Sequence, residues 1–191
     1  MTQSDTRERI LDASQNLIQR LGANGMSYQH VSEEVGIRKA SIHHHFATKT
    51  DLLQDVCSRY SESFFALVDA QLDRESSAVD RLQRYCKLFE GPLCESDDLA
   101  CLCAMLGAEI ESLDSAPAAE VRAFIDGNVS RLTKLLDEGR RHGEFDFVGS
   151  PRSVAQMCFS LLEGATLIAR ADGGIKRLRE ITRQMLRLLE A

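Results

Sequence analysis

Gly36–Lys49 reads GIRKASIHHHFATK, with three consecutive histidines at His43, His44 and His45. A run of histidines invites a metal or a catalytic reading, and helix geometry argues against both. Successive helix residues point about 100° apart, so the three rings fan over different faces. Chelation from one helix needs spacings of three or four. No carboxylate or nucleophile in the segment orients a base. We therefore expect no metal, no cofactor and no catalytic residue here. Ile42 and Phe46, four residues apart, supply one apolar stripe to pack on a core. Arg38, Lys39, Ser41 and the histidines then face outward as hydrogen-bond donors, which suits a helix entering a DNA major groove.

The flanks support a helix-turn-helix. Ile10, Ala13, Ser14, Leu17, Ile18 and Leu21 form one helical stripe, and Gly22 stands where a glycine ends a helix. Ser27 is placed to cap a short helix through Glu34, Gly36 supplies a left-handed turn, and a second short helix spans roughly Lys39–His45. Thr48 with Asp51 resembles a capping box that opens a long helix to about Asp73.

The stretch MSYQHVSEEVGIRKASIHHHFATKTDLL resembles the DNA-binding signature of TetR-family (TetR/AcrR) transcriptional regulators, and TRERILDASQNLIQRLGANGMS resembles that family's first helix and turn. The likeness covers residues 5–55 well and the rest only in helix pattern. It implies that Ser27 caps the second helix and touches phosphate, and that Tyr28 and Gln29 sit at its DNA edge. Lys39, Ala40 and Ser41 would face bases. His43 stands where the family commonly has tyrosine, His44 or His45 approaches the backbone, and Lys49 binds phosphate. Arg38, His43 and His45 depart from the usual pattern.

The bulk numbers are compatible with this. The chain has 191 residues, 43% hydrophobic and 27% charged, with only 3 prolines, an ordinary globular composition. The net charge of −6 is uneven: residues 1–50 carry 6 Lys/Arg against 5 Asp/Glu, which leaves 17 against 24 for residues 51–191. No apolar run approaches the length of a membrane span, and the N-terminus lacks a signal-peptide core. We expect a cytoplasmic protein, no membrane partner, and six reduced cysteines with no C-x-x-C pair.

Further helices are expected at about 77–91, 98–113, 117–142, 151–171 and 174–190, with breaks at Gly91-Pro92, Gly143 and Gly173-Gly174. No segment alternates with period two, so no sheet is expected; GEFDF at 143–147 reads as a short extended link. The fold class is all-α, about nine helices: a helix-turn-helix DNA-binding domain at 1–48 and a helical effector-binding and dimerisation domain at 49–191. VAQMCFSLLEGATLI at 154–168 is apolar around most of its circumference. With the stripe Ile175, Leu178, Ile181, Met185, Leu188 and Leu189 it supplies two helices, about 151–190, for a homodimeric four-helix bundle.

The family resemblance implies a small-molecule effector that favours a geometry unable to hold the operator, and a near-palindromic double-stranded DNA operator. Apolar helix faces offer pocket candidates: Phe64, Phe65, Val68, Phe89, Cys101, Met105, Phe124, Met157, Cys158 and Leu161. LACLCAMLGAEIESL also resembles a subset of the family in which a cysteine, here Cys101, senses electrophiles or oxidants. A thiol in the first turn of a helix would react faster. The expected function is a transcriptional repressor released by a small molecule, with a thiol-sensing repressor as the alternative. The absence of a phosphate-binding glycine loop, H-E-x-x-H or G-x-S-x-G argues against an enzyme.

Overall fold

A computed structural model describes residues 3–72, 76–94, 99–172 and 174–190. Among these the fold is all-α. The helices are α1 (Gln3–Gly25), α2 (Tyr28–Val35), α3 (Lys39–His45), α4 (Lys49–Gln71), α5 (Ala78–Lys87), α6 (Gly91–Cys94), α7 (Leu102–Ala108), a 3-10 turn at Ile110–Ser112, α8 (Ser115–Arg141), α9 (Pro151–Ala171) and α10 (Gly174–Arg187). The chain divides into two compact units. The first comprises residues 1–62 and 102–124, the second residues 63–101 and 125–191.

The first unit is built around Ile10, Leu11, Ile18, Val31, Ile42, Phe46, Leu52 and Val56, all buried. The predicted stripe on α1 is correct at Ile10, Ala13, Ser14 and Ile18, which are buried. It fails at Leu21, which is 52% exposed. The reason is the adjacent Gly22, whose φ of 77° and ψ of 169° break the helix before its last turn. Leu21 therefore lies where the helical period ends.

The second unit holds α5, α6, α9 and α10 with the adjoining parts of α4 and α8. Its buried side chains include Leu82, Tyr85, Cys158, Leu162 and Leu178. Ser150 caps α9, its hydroxyl accepting from Ser153 N at 3.1 Å, and Pro151 follows in the first turn. Glu144 accepts from the Ala78 amide at 2.6 Å and so adds a second cap to α5. The GEFDF link is extended at one point: Phe145 pairs antiparallel with Glu190, and Asp146 N donates to Leu189 O at 2.9 Å.

Two boundaries differ from expectation. The single helix expected over 98–113 is instead α7 and a 3-10 turn. The Ser112 hydroxyl donates to Glu109 O at 2.8 Å and competes with α-helical pairing. Gly91-Pro92, expected as a break, opens the short helix α6. Proline is tolerated there because first-turn amides have no helical partner. On α9, Met157 and Ile168 are each 50% exposed and Leu167 is 39% exposed. Residues Asp73, Asp98 and Gly173 lie outside the described residues.

Candidate nucleic-acid interface and effector core

Helix α2 begins at a working cap: Ser27 Oγ accepts from His30 N at 3.3 Å. It ends at Gly36, left-handed at φ 72° and ψ 36°, whose amide donates to Ser32 O at 3.0 Å. The Ser32 hydroxyl donates to Ile37 O at 2.6 Å and ties the turn to the helix before it. Helix α3 then buries Ile42, and Phe46 follows it into the core. Arg38, Lys39, Ala40, Ser41, His43 and His44 are exposed, and His45 is half-buried. The stripe of apolar residues therefore turns one face of α3 inward and leaves a continuous outer face of donors.

Neighbouring polar groups have additional roles. The Tyr28 ring meets His43 edge-on at 4.8 Å. Its hydroxyl lies 2.7 Å from Thr48 O and 3.1 Å from Phe46 O. Burial, then the charge of Asp51, pushes the phenol up to about 12, so it remains a donor. Gln29 is exposed and donates its side-chain amide to Glu33. His30, exposed on α2, was not singled out in the sequence; its position three residues after the Ser27 cap was the available signal.

Lys49 lies behind this surface. Its Nζ donates to Ala23 O at 2.5 Å and to Met26 O at 2.8 Å. Burial lowers its pKa, and the charge of Glu109 partly offsets that. The Glu109 carboxylate accepts from Ala23 N at 2.6 Å and from Asn24 N at 3.2 Å. The turn after α1 is thus held by an ammonium on its carbonyls and a carboxylate on its amides. Asn24 also donates to Ser112 Oγ at 3.1 Å, and the Thr50 hydroxyl bonds to Asp114. Thr48 and Asp51 form the predicted capping box, with Thr48 N to Asp51 Oδ2 at 3.0 Å and Asp51 N to Thr48 Oγ1 at 3.1 Å.

The second unit collects several of the predicted pocket residues. Phe64 lies 6.0 Å from Phe89, and Phe89 lies 5.5 Å from Tyr85 and 6.4 Å from Phe159, ring to ring. Val68, Phe89, Cys101 and Cys158 are buried, and Leu161 is half-buried. Phe65 is occupied differently: the Arg131 guanidinium sits 4.1 Å over its ring. Met157 lies on the exposed face of α9. Met105 and Phe124 belong to the first unit. Cys101 is not in the first turn of a helix; it precedes α7 and is 6% exposed.

The sequence reading missed Glu163 and its surroundings. Both Glu163 oxygens are closed to solvent and, among the described residues, meet no nitrogen or hydroxyl donor; the weak sulfur donor Cys101 lies beside them. Burial raises its pKa from 4.5 to about 7, and the nearby Cys101 thiol partly counteracts this. Tyr85 is also buried, and its hydroxyl donates to Asn128 Oδ1 at 2.8 Å. Burial, then the charge of Glu163, drives that phenol well above its ordinary value. The available signal was a single acid inside the apolar run VAQMCFSLLEGATLI.

Comparison with known proteins gives concordant findings. Residues 10–56 match the family described as bacterial regulatory proteins, tetR family. A TetR-family transcriptional regulator from Agrobacterium tumefaciens is 34% identical, with all of both chains covered and a TM-score of 0.95. A TetR transcriptional regulator from Legionella pneumophila is 26% identical, with 96% of each chain covered and a TM-score of 0.86. The HTH-type transcriptional repressor NemR of Escherichia coli (strain K12) is 25% identical over 179 residues, 93% of this chain and 90% of that protein.

Proposed function

The chain belongs to the TetR family of bacterial regulatory proteins, and from that premise we propose that it is a sequence-specific transcriptional repressor released from its operator by a small molecule. The observation that carries this reading is α3 itself. It buries Ile42, with Phe46 following it into the core, and presents Arg38, Lys39, Ala40, Ser41, His43 and His44 on an exposed face. Such a face supplies donors to base edges and phosphates. Ser27, Gln29 and His45 extend it, while Tyr28 and Lys49 hold it in place and contribute at its edge. We assign residues 1–48 to DNA reading and residues 49–191 to effector binding and dimerisation.

TetR-family regulators act on DNA operators as dimers. For this chain we place the dimer seam on α9 and α10, within 151–190. Met157, Leu161, Gly164 and Ile168 recur at spacings of three and four. Met157 and Ile168 are half-exposed in the single chain, Leu188 is 67% exposed, and nothing lies within 4 Å of where a Cβ on Gly164 would stand. A two-fold seam presents two α3 helices to a near-palindromic site. Among the described residues no helix is long and apolar enough to cross a membrane, and a DNA partner supports a cytoplasmic site of action.

The test is a mobility-shift titration on the DNA upstream of its own gene at two salt concentrations. Specific binding that weakens steeply with salt is expected. Absence of specific binding there, and to a library of random duplexes, would refute the regulator reading. A second reading keeps the operator and replaces ligand release with oxidation or alkylation of Cys101. It is favoured by the resemblance around LACLCAMLGAEIESL. Diamide release that persists in Cys101→Ser would eliminate it.

A further inference from the structure

Buried carboxylates are normally matched by donors, because an ionised oxygen without water or a partner is costly. The charged groups of the second unit largely obey this. Buried Arg81 meets Glu138 at 2.9 Å, and Arg131 meets Asp69 at 2.6 Å. Tyr85, the nearby hydroxyl, directs its proton to Asn128. Glu163 is different: among the described residues its oxygens have no nitrogen or hydroxyl donor, only the weak thiol of Cys101 beside them. It stands one helical turn after Phe159, so the two share a face of α9, and the Phe159 ring adjoins the Phe89–Phe64 pair.

The geometry points to Glu163 as the recognition group of the effector site, binding a protonated primary or secondary amine whose apolar body lies on Phe64, Phe89 and Phe159. This rests on the effector-gated reading above and specifies its ligand. Oxygens met only by a weak thiol donor call for N–H donors, which a quaternary ammonium lacks. A neutral alcohol would leave the charge uncompensated, and an anion would be repelled. A divalent metal needs several oxygen ligands, and no cluster of three or more ligating side chains occurs among the described residues. Aromatic faces add attraction for a desolvated cation. The raised pKa of Glu163 agrees with a carboxylate held ready for a counter-charge it does not yet have.

The test uses the full chain and three probes of one shape: 2-phenylethylamine, neutral 2-phenylethanol and anionic 3-phenylpropanoate, titrated calorimetrically. The amine is expected to bind about tenfold or more tighter than the alcohol, from a charge-assisted hydrogen bond. Glu163→Gln removes that gap; Glu163→Met serves if the amide variant does not fold. Equal binding of amine and alcohol, tighter binding of the anion, a gap that survives both substitutions, or no binding of any probe would overturn the assignment. The last result would mean that water alone satisfies the acid. A DNA shift in the same preparation separates the two layers. An intact shift with a failed amine arm overturns only this inference, whereas amine selectivity without any shift upholds the Glu163 site and overturns the regulator reading.

Discussion

Replacing Glu163 by glutamine should stabilise the protein, and only above mildly acidic pH. The folded chain raises this carboxyl from 4.5 to about 7 by burial. Between those values the native state binds a proton that the unfolded state has released, so native stability falls as pH rises through the window and is level beyond it. This is the reverse of the usual paired carboxylate. Integrated from pH 5 to pH 8, the loss in the natural chain is about 2.5 kcal/mol. Glutamine keeps the shape and cannot ionise, so the difference between the two proteins isolates this group from every other titration. The assay is urea unfolding of both proteins at fixed concentration across pH 5–8, because a dimer's stability depends on concentration. The glutamine variant should gain relative to the natural chain by that amount, about 5–10 °C in melting temperature. A difference that stays flat within about 0.5 kcal/mol would refute the reasoning. Glu163 would then titrate as an ordinary solvated or paired acid, and the case for an unmatched site would fall with it.

Other substitutions test the DNA-reading unit. Lys49→Met removes an ammonium bonded to Ala23 O and Met26 O and should cost about 2 kcal/mol in unfolding; unchanged stability with lost DNA binding would instead make Lys49 purely a phosphate contact. Lys39→Ala, at an exposed position, should leave stability within about 0.5 kcal/mol. It should also weaken DNA binding and, if Lys39 meets a phosphate, reduce the salt slope by about 1 per contact; unaltered affinity in a mobility shift would remove Lys39 from the interface. Gly36→Ala meets no steric obstacle, since nothing lies within 4 Å of the added carbon. The left-handed backbone alone should therefore cost about 1 kcal/mol, read as a lowered melting temperature, and an unchanged melt would show that the turn relaxes freely.

The helix-turn-helix was legible because its determinants are local. Ser27 with His30, Thr48 with Asp51, and Gly36 after Val35 each act within about one helical turn, a range over which sequence spacing is geometry. The outward donors of α3 were legible for a related reason: a solvent-facing group needs no protein partner, so an apolar stripe that identifies the inner face identifies the outer one as well. Long-range pairing was not legible. Glu109 reaches back 86 residues to the Ala23 amide, and nothing in GAEIESL announces that target.

Lys49 shows how the two kinds of information combine. Its place in the motif implies a phosphate ligand, yet in the fold its ammonium is bonded to the Ala23 and Met26 carbonyls. An ammonium has three donors, so two bonds to the turn are compatible with a third to DNA. Holding the turn also fixes the point from which α2 and α3 project. Glu163 is the opposite case. A single acid in an apolar helix is visible in the sequence, but whether it is matched depends on every neighbour in three dimensions. Arg81 and Arg131 are taken by Glu138 and Asp69, and the Tyr85 proton by Asn128. That allocation of partners, rather than the presence of the acid, is what makes Glu163 a candidate for recognising a ligand.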